Sequence, residues 1–300
     1  MATTPKRLDV TELDFDEIKD NLKVFLKGQT EFTDYDFEGS GMNILLDTLA
    51  YNTHYLAFNA NMLANEMFLD SSALRSSVVS HAKTLGYVPQ SPRAATATVE
   101  VALTTTNATA TMSAGTVFNT TIDGTSFTFV NPTETTATNI GNAVVFSNLV
   151  LYEGTYVTSR YTVDTQDVEQ RFLISDNRVD TRTLTVKVQN SSSDSTTTTY
   201  TLADDIAAVT STSNVYFLQE VEDGKFEVYF GDGVLGKGLS DNNIVFLQYV
   251  VSNKSEGNGA TTFTSSGAID GVTDVGVTTI QSSIGGSEAE SIESIKLNAP

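Results

Sequence analysis

Gly231-Asp232-Gly233-Val234-Leu235-Gly236 has the spacing G-x-G-x-x-G directly after a strand-like run. In dinucleotide-binding folds that spacing brings a pyrophosphate onto a helix N-terminus. Here a loop sequence follows instead, Lys237-Gly238-Leu239-Ser240-Asp241-Asn242-Asn243, and Asp232 puts a negative charge where phosphate would arrive. The segment therefore reads as a structural turn in which glycines supply positive φ. Asp232, Asp241, Asn242 and Asn243 are oxygen donors for calcium, but an EF-hand loop needs ligands at alternating positions and a closing Glu, and neither is present. His54 and His81 are the two histidines and there is no cysteine, a poor donor set for a metal. A serine triad would have to use one of these histidines, yet Gly39-Ser40-Gly41 matches the G-x-S-x-G elbow only superficially. Glu220, Glu222 and Glu227 could form a glycosidase-type carboxylate pair, but nothing selects them from the 37 acidic residues. The expectation is no catalytic residue, no cofactor and no metal.

The elements that would have to position such groups point elsewhere. A chain of 300 residues allows two or three domains. A net charge of −20 with only 17 basic residues opposes phosphate binding, so nucleic acid is not an expected partner. The absence of cysteine excludes a disulfide framework. The start, MATTPKRLDV, lacks an apolar signal core. No run approaches the ~20 apolar residues of a membrane span, because 42–69 carries Asp47, His54, Glu66 and five asparagines. Sequons at Asn107, Asn119, Asn190 and Asn253 reflect the abundance of Thr and Ser.

Periodicity predicts three helices near the N-terminus. The first covers 14–27, with Asp14 as cap, Glu17 completing a capping box, and Ile18, Leu22, Phe25 and Leu26 on one stripe. Gly28 is expected in the left-handed position after it. The second covers 42–68. Ile44, Leu45, Leu49, Leu56, Leu63 and Met67 cover one side; Leu46, Tyr51, Tyr55, Phe58 and Met62 cover much of the rest. A surface helix keeps a polar face; this one scatters only Asn43, Asn52, Asn59, Asn61 and Asn65, which in a bundle can fix register. So apolar a helix needs partners on several sides, and one chain supplies few. The third helix is expected to start at a cap on Asp70 or Ser71, to carry Leu74, Val78, Ala82 and Leu85, and to end at Gly86.

From Thr96 the period changes to two, with Val99, Val101 and Leu103 alternating with polar or small residues. Strands are expected at 116–119, 126–130, 143–152, 171–175, 215–221, 225–230 and 244–251, and from Leu184 through Val188. Turns are expected at Gly115, Asp123-Gly124, Gly224 and 231–236. The predicted class is multidomain α+β, a helical segment followed by mainly antiparallel strands. Its blocks are 1–92, 93–180, 181–286 and a further helical start at 287–300. Because a helix ends at Asn298-Ala299-Pro300, the natural chain is expected to continue.

Taken together, several segments are similar to a known family. GSGMNILLDTLAYNTHYLAFNANMLANEMFLDSSALRSSVVSHAKTLGYVP, residues 39–89, resembles the N-terminal helical region of the baseplate wedge proteins of T-even-type contractile-tailed phages. Ser113-Ala114-Gly115-Thr116-Val117-Phe118 with Asp123-Gly124 and Phe127 resembles a signature of the broader baseplate J-like family. So does Phe230-Gly231-Asp232-Gly233 with Gly236-Lys237, residues 244–249 and Gly257-Asn258-Gly259. The resemblance implies a non-enzymatic virion protein of the tail baseplate. It implies partnership with a second copy and other wedge subunits, and with adjacent wedges in a sixfold ring around the tail hub, transmitting the change that triggers contraction. The implied interface is Ile18, Leu22, Phe25, Ile44, Leu45, Leu49, Leu56, Leu63, Met67, Leu74 and Val78. Gly115, Gly124, Gly224, Gly231, Asp232, Gly233 and Gly236 are implied structural turns. Family members are usually much longer. The competing reading is a β-rich fibre or adhesin module, which leaves the helices without purpose.

Overall fold

The computed structural model describes residues 14–29, 40–167, 170–203 and 205–300. The chain forms two compact units. One is helical, Met1–Tyr87 with Ile292–Pro300, and the other is the β unit, Val88–Ser291.

In the helical unit, α1 spans Phe15–Lys27 and is capped by Asp14, whose Oδ1 accepts from the backbone N–H of Asp16 (2.9 Å) and Glu17 (3.0 Å). Asp16 and Glu17 in the first turn and Lys27 in the last suit the helix dipole. Gly28 departs from expectation: its φ of −79° is right-handed, and its N–H closes back onto the last turn, so no left-handed cap forms. α2, Gly41–Glu66, begins at Ser40, whose hydroxyl accepts from Asn43 N–H at 3.1 Å. At 1.5 Å per residue it is about 39 Å long. α1 lies against it, joined by a 2.5 Å ion pair from Lys19 to Asp47.

α3 is Arg75–Thr84. Neither Asp70 nor Ser71 caps it. No side-chain cap hydrogen bond forms; the Glu66 carboxylate at the end of α2 instead ties the turn before α3, accepting from Ala73 N–H at 2.8 Å and Leu74 N–H at 3.3 Å. Burial pushes the Glu66 carboxyl up. Hydrogen bonds from Ser77, Ala73 and Leu74, with the Lys296 charge, outweigh it and hold the group below its usual range. α4, Ile292–Asn298, returns from the far end of the chain to pack on α3. Val78, Val79, Ala82 and Ile295 form the core there, with Leu69, Tyr87 and Ile292 against it.

The β unit has fifteen described strands: β1 Thr96–Thr104, β2 Thr109–Met112, β3 Thr116–Ile122, β4 Thr125–Asn131, β5 Thr135–Thr138, β6 Ala143–Glu153, β7 Thr155–Thr162, β8 Phe172–Ile174, β9 Val179–Gln189, β10 Thr197–Leu202, β11 Val215–Glu220, β12 Phe226–Phe230, β13 Ile244–Val251, β14 Thr264–Ser265 and β15 Val275–Ile284. One sheet has the order β14-β3-β4-β6-β1-β15, a second β7-β13-β9-β10-β11-β12-β8, and β2 pairs with β5. Pairing is antiparallel except between β10 and β11. Asp123 (φ 49°) and Gly124 (φ 83°) close the β3–β4 hairpin as a two-residue turn whose twist suits the strands. β13 lies between β7 and β9, and its near-continuous apolar run is buried or half-buried along its whole length.

Each sheet has its own apolar core. Val99, Val101, Leu103, Phe118, Phe129 and Leu151 belong to the first. Ile174, Val186, Val228, Val245, Leu247 and Tyr249 belong to the second. The two lobes do not follow the blocks 93–180 and 181–286. β7 pairs with β13, β15 returns to pair with β1, and the division at 180/181 falls inside β9. The second sheet is a continuous insertion between the two parts of the first.

Candidate subunit-docking surface

α2 turns only a narrow stripe toward its own chain. Asn43, Leu46, Ala50, Ala57 and Asn61 are buried, a row of mostly small or polar residues at helical spacing. Its large apolar side chains point outward: Ile44, Leu45, Leu49, Tyr51, Tyr55, Leu56, Phe58, Met62, Leu63, Met67 and Phe68 are all exposed. Contiguous exposed apolar patches commonly serve as interaction sites, which makes this row the candidate docking surface.

The exposed residues resolve into two seams. Leu45, Leu49, Asn52, Leu56, Asn59 and Leu63 recur at alternating steps of four and three, so that Leu49, Leu56 and Leu63 share one heptad position and Asn52 and Asn59 the other. Beside it, about 100° around the helix, Ile44, Thr48, Tyr51, Tyr55, Phe58 and Met62 recur in the same rhythm. Neither seam contains a charge. In the aromatic seam Tyr51 and Tyr55 meet edge to face at 4.7 Å, and their hydroxyls are 3.1 Å apart. Tyr51 donates to Tyr55, and that hydrogen bond raises the Tyr51 phenol above its usual value.

Of the residues expected at this interface, Leu45, Leu49, Leu56, Leu63 and Ile44 stand on the seams, with Met67 just beyond them, and Phe25 and Leu74 are also exposed. Leu22 is half-buried. Ile18 and Val78 are corrections: both are buried inside their own chain, Val78 in the α3–α4 core, and cannot meet a partner there. The aromatic seam was missed. Counting heptads, instead of judging the helix as apolar all round, would have revealed it.

The groups that suggested chemistry are occupied in structural roles. Asp232 Oδ1 accepts from Val234 N–H (2.9 Å) and Leu235 N–H (3.0 Å), and these bonds hold its carboxyl below the usual range. Gly233 and Gly236 have positive φ, and a Cβ on Gly231 would lie 2.3 Å from the Gly236 carbonyl carbon. No helix follows, so the turn offers phosphate no helix N-terminus. Gly115, Gly124 and Gly224 also take positive φ at their turns. Glu227 is clasped by both arms of Arg171 (2.7 and 2.6 Å) and by Gln219 at 3.0 Å. Glu220 is buried beside it on the paired strand, while Glu222 is exposed. His81 Nε2 lies 2.9 Å from the Glu66 carbonyl, and His54 meets the edge of Tyr55. Among the described residues no cluster of three or more His, Asp or Glu is placed to hold a metal, and no helix is long and apolar enough to cross a membrane.

The chain is similar to known proteins in two segments and along most of its length. Residues 14–87 match the family described as "Baseplate wedge protein gp6-like, helical domain". Residues 159–264 match "Bacteriophage baseplate wedge protein gp6, third domain". The chain is 32% identical over 285 residues to the baseplate wedge protein gp6 of Enterobacteria phage T4, covering 88% of this chain and 42% of that protein. It therefore spans less than half the length of the relative it matches. From the helical match containing both seams, the match in the second β lobe and this identity along most of its length, the chain belongs to the gp6-like family of baseplate wedge proteins.

Proposed function

We propose that the chain is a structural, non-enzymatic component of a phage tail baseplate wedge, and that α2 is its principal docking element. The observation carrying this reading is the pair of uncharged heptad seams on one helix, whose buried stripe is too small to employ its large side chains. Two seams call for two neighbours. The leucine–asparagine seam suits a second copy of the same chain, because an asparagine amide both donates and accepts and can pair with its own counterpart. The aromatic seam suits a different wedge subunit, taking ring faces and Met62 against apolar side chains. The β unit would then meet neighbouring wedges in a sixfold ring around the hub, and the assembly would pass on the change that triggers contraction. Its place would be the tail baseplate of the virion. The fibre or adhesin reading gives the two seams no role.

The test is native mass spectrometry of the chain co-expressed with the other wedge subunits of its phage. A discrete complex holding two copies and a second subunit supports the proposal. A lone monomer beside unassociated subunits sinks it.

A further inference from the structure

The two lobes of the β unit meet through buried polar groups, and their apolar cores share no residue. Glu153, at the end of β6, is fully buried. Its Oε2 accepts from Asn253 N–H at 2.8 Å and its Oε1 from Asn253 Nδ2 at 2.8 Å, just beyond β13 of the other lobe. The two crossing chains touch closely here. A Cβ on Gly257 would stand 2.4 Å from Glu153 Cγ, and one on Gly154 would stand 2.2 Å from the Val251 carbonyl oxygen. Beside this clasp runs a second one. Asp180 of β9, also fully buried, accepts from Ala94 N–H at 2.9 Å and pairs with Arg182 at 2.6 Å, while Ser91 Oγ accepts from Thr181 N–H at 3.0 Å. Ser252 is fully buried in the same region and donates from its N–H to Arg178 O at 3.1 Å. Tyr156 adds an aromatic contact, its ring lying over Gly115 of the first lobe.

We propose that this polar seam is a hinge. The two lobes turn as rigid bodies about the crossings at Glu153–Gly154 and 252–257, and the Glu153–Asn253 and Asp180–Ala94 clasps hold the closed position. Opening a core exposes apolar surface, which water penalises in proportion to its area. Opening this seam exposes carboxylates, hydroxyls and amides, which water can satisfy. Closed, the groups have one mutual geometry, since a buried charge without its partners is strongly disfavoured. Such a boundary is specific when shut and inexpensive to open, as in interfaces between mobile domains. The inference concerns the β unit itself and stands whether or not the docking proposal for α2 holds.

Hydrogen exchange of the full chain tests it, read at individual amides. The N–H groups of Ala94, Thr181, Ser252 and Asn253 should exchange together, at least tenfold faster than those of Val101, Val186 and Leu247 in the lobe cores. The chain has no cysteine, so the double variant Ser91→Cys with Thr181→Cys can be oxidised to staple the second clasp. The staple should slow exchange at Asn253, in the other clasp, several-fold and leave the cores unchanged. Glu153→Ala should do the reverse, accelerating Ala94 and Thr181 as well as Asn253. Seam amides exchanging as slowly as the cores would overturn the hinge. So would a staple without effect at Asn253, which would mean separate local fraying.

Discussion

Replacing Leu45, Leu49, Leu56 and Leu63 together by alanine separates a docking helix from a merely apolar one. Each of these side chains is between 54% and 69% exposed in the single chain. Fully burying a leucine is worth about 1.5–3 kcal/mol relative to leaving it in water. Roughly three-fifths of that, ~1–2 kcal/mol per residue, is therefore unrealised until a partner covers the seam. Four residues together place ~4–8 kcal/mol at stake, or about three to nearly six decades in the association constant at 1.4 kcal/mol per decade. Folding of the isolated chain should barely change, because exposed substitutions stay within about ±0.5 kcal/mol each. The assay pairs urea unfolding of the dilute isolated chain with sedimentation of the co-expressed wedge complex. The expected result is a nearly unchanged unfolding midpoint and a lost complex. A chain destabilised by ~8 kcal/mol or more, at the 2–5 kcal/mol per site typical of a packed core, would mean that the seam packs within its own chain. A normal complex would mean that the seam is not where the subunits meet.

Other perturbations test the local account. Glu66→Ala removes the carboxylate that ties the turn before α3 and should lower stability by about 0.5–1.5 kcal/mol; Glu66→Gln, which keeps one acceptor, should recover part of it in the same thermal melts. Gly231→Ala should cost about 1–3 kcal/mol in urea unfolding, because the new methyl meets Gly236 backbone and not a flexible side chain. Burial raises the Glu153 carboxyl above its usual 4.5, partly opposed by the Asn253 bonds; Glu256 adds to the rise and Arg178 opposes it. The folded state therefore holds this proton more tightly than the unfolded chain does. The resulting stability is fully present below about pH 4.5 and is lost as pH rises through the folded value. The stability of wild type minus that of Glu153→Gln should fall over that window and then level off; parallel curves from pH 4 to 8 would contradict it.

Much of the local structure was legible because it rests on near neighbours. Asp14 caps α1, Asp123-Gly124 closes a hairpin, and the alternation of Val99, Val101 and Leu103 marks a core strand. The apolar character of α2 was legible too, and most of its large side chains stand exposed in the single chain. What escaped depends on distant residues. β15 pairs with β1, so Val277 stands opposite Val101, and no local pattern reports that partner. α4 joins α3 through Ile295 from the far end of the chain. The start of α3 carries no side-chain cap, and the turn before it is held by Glu66 of the preceding helix and not by Asp70 or Ser71. Gly28 was misjudged for another reason: glycine permits the left-handed cap without requiring it. Within the docking surface, burial of Ile18 and Val78 could not be told from apolar periodicity, because the same stripe serves a neighbour in the chain or outside it.

The most direct measurement labels single cysteines placed on the seams of this cysteine-free chain. Leu56→Cys reports on the leucine–asparagine seam, Phe58→Cys on the aromatic seam, and Ser193→Cys on an exposed loop of the β unit as a control. All three should react rapidly with a maleimide in the dilute isolated chain. In the assembled wedge, positions 56 and 58 should become at least tenfold slower while position 193 is unchanged. Equal reactivity at 56 and 58 before and after assembly would contradict the claim that α2 joins this chain to its neighbours.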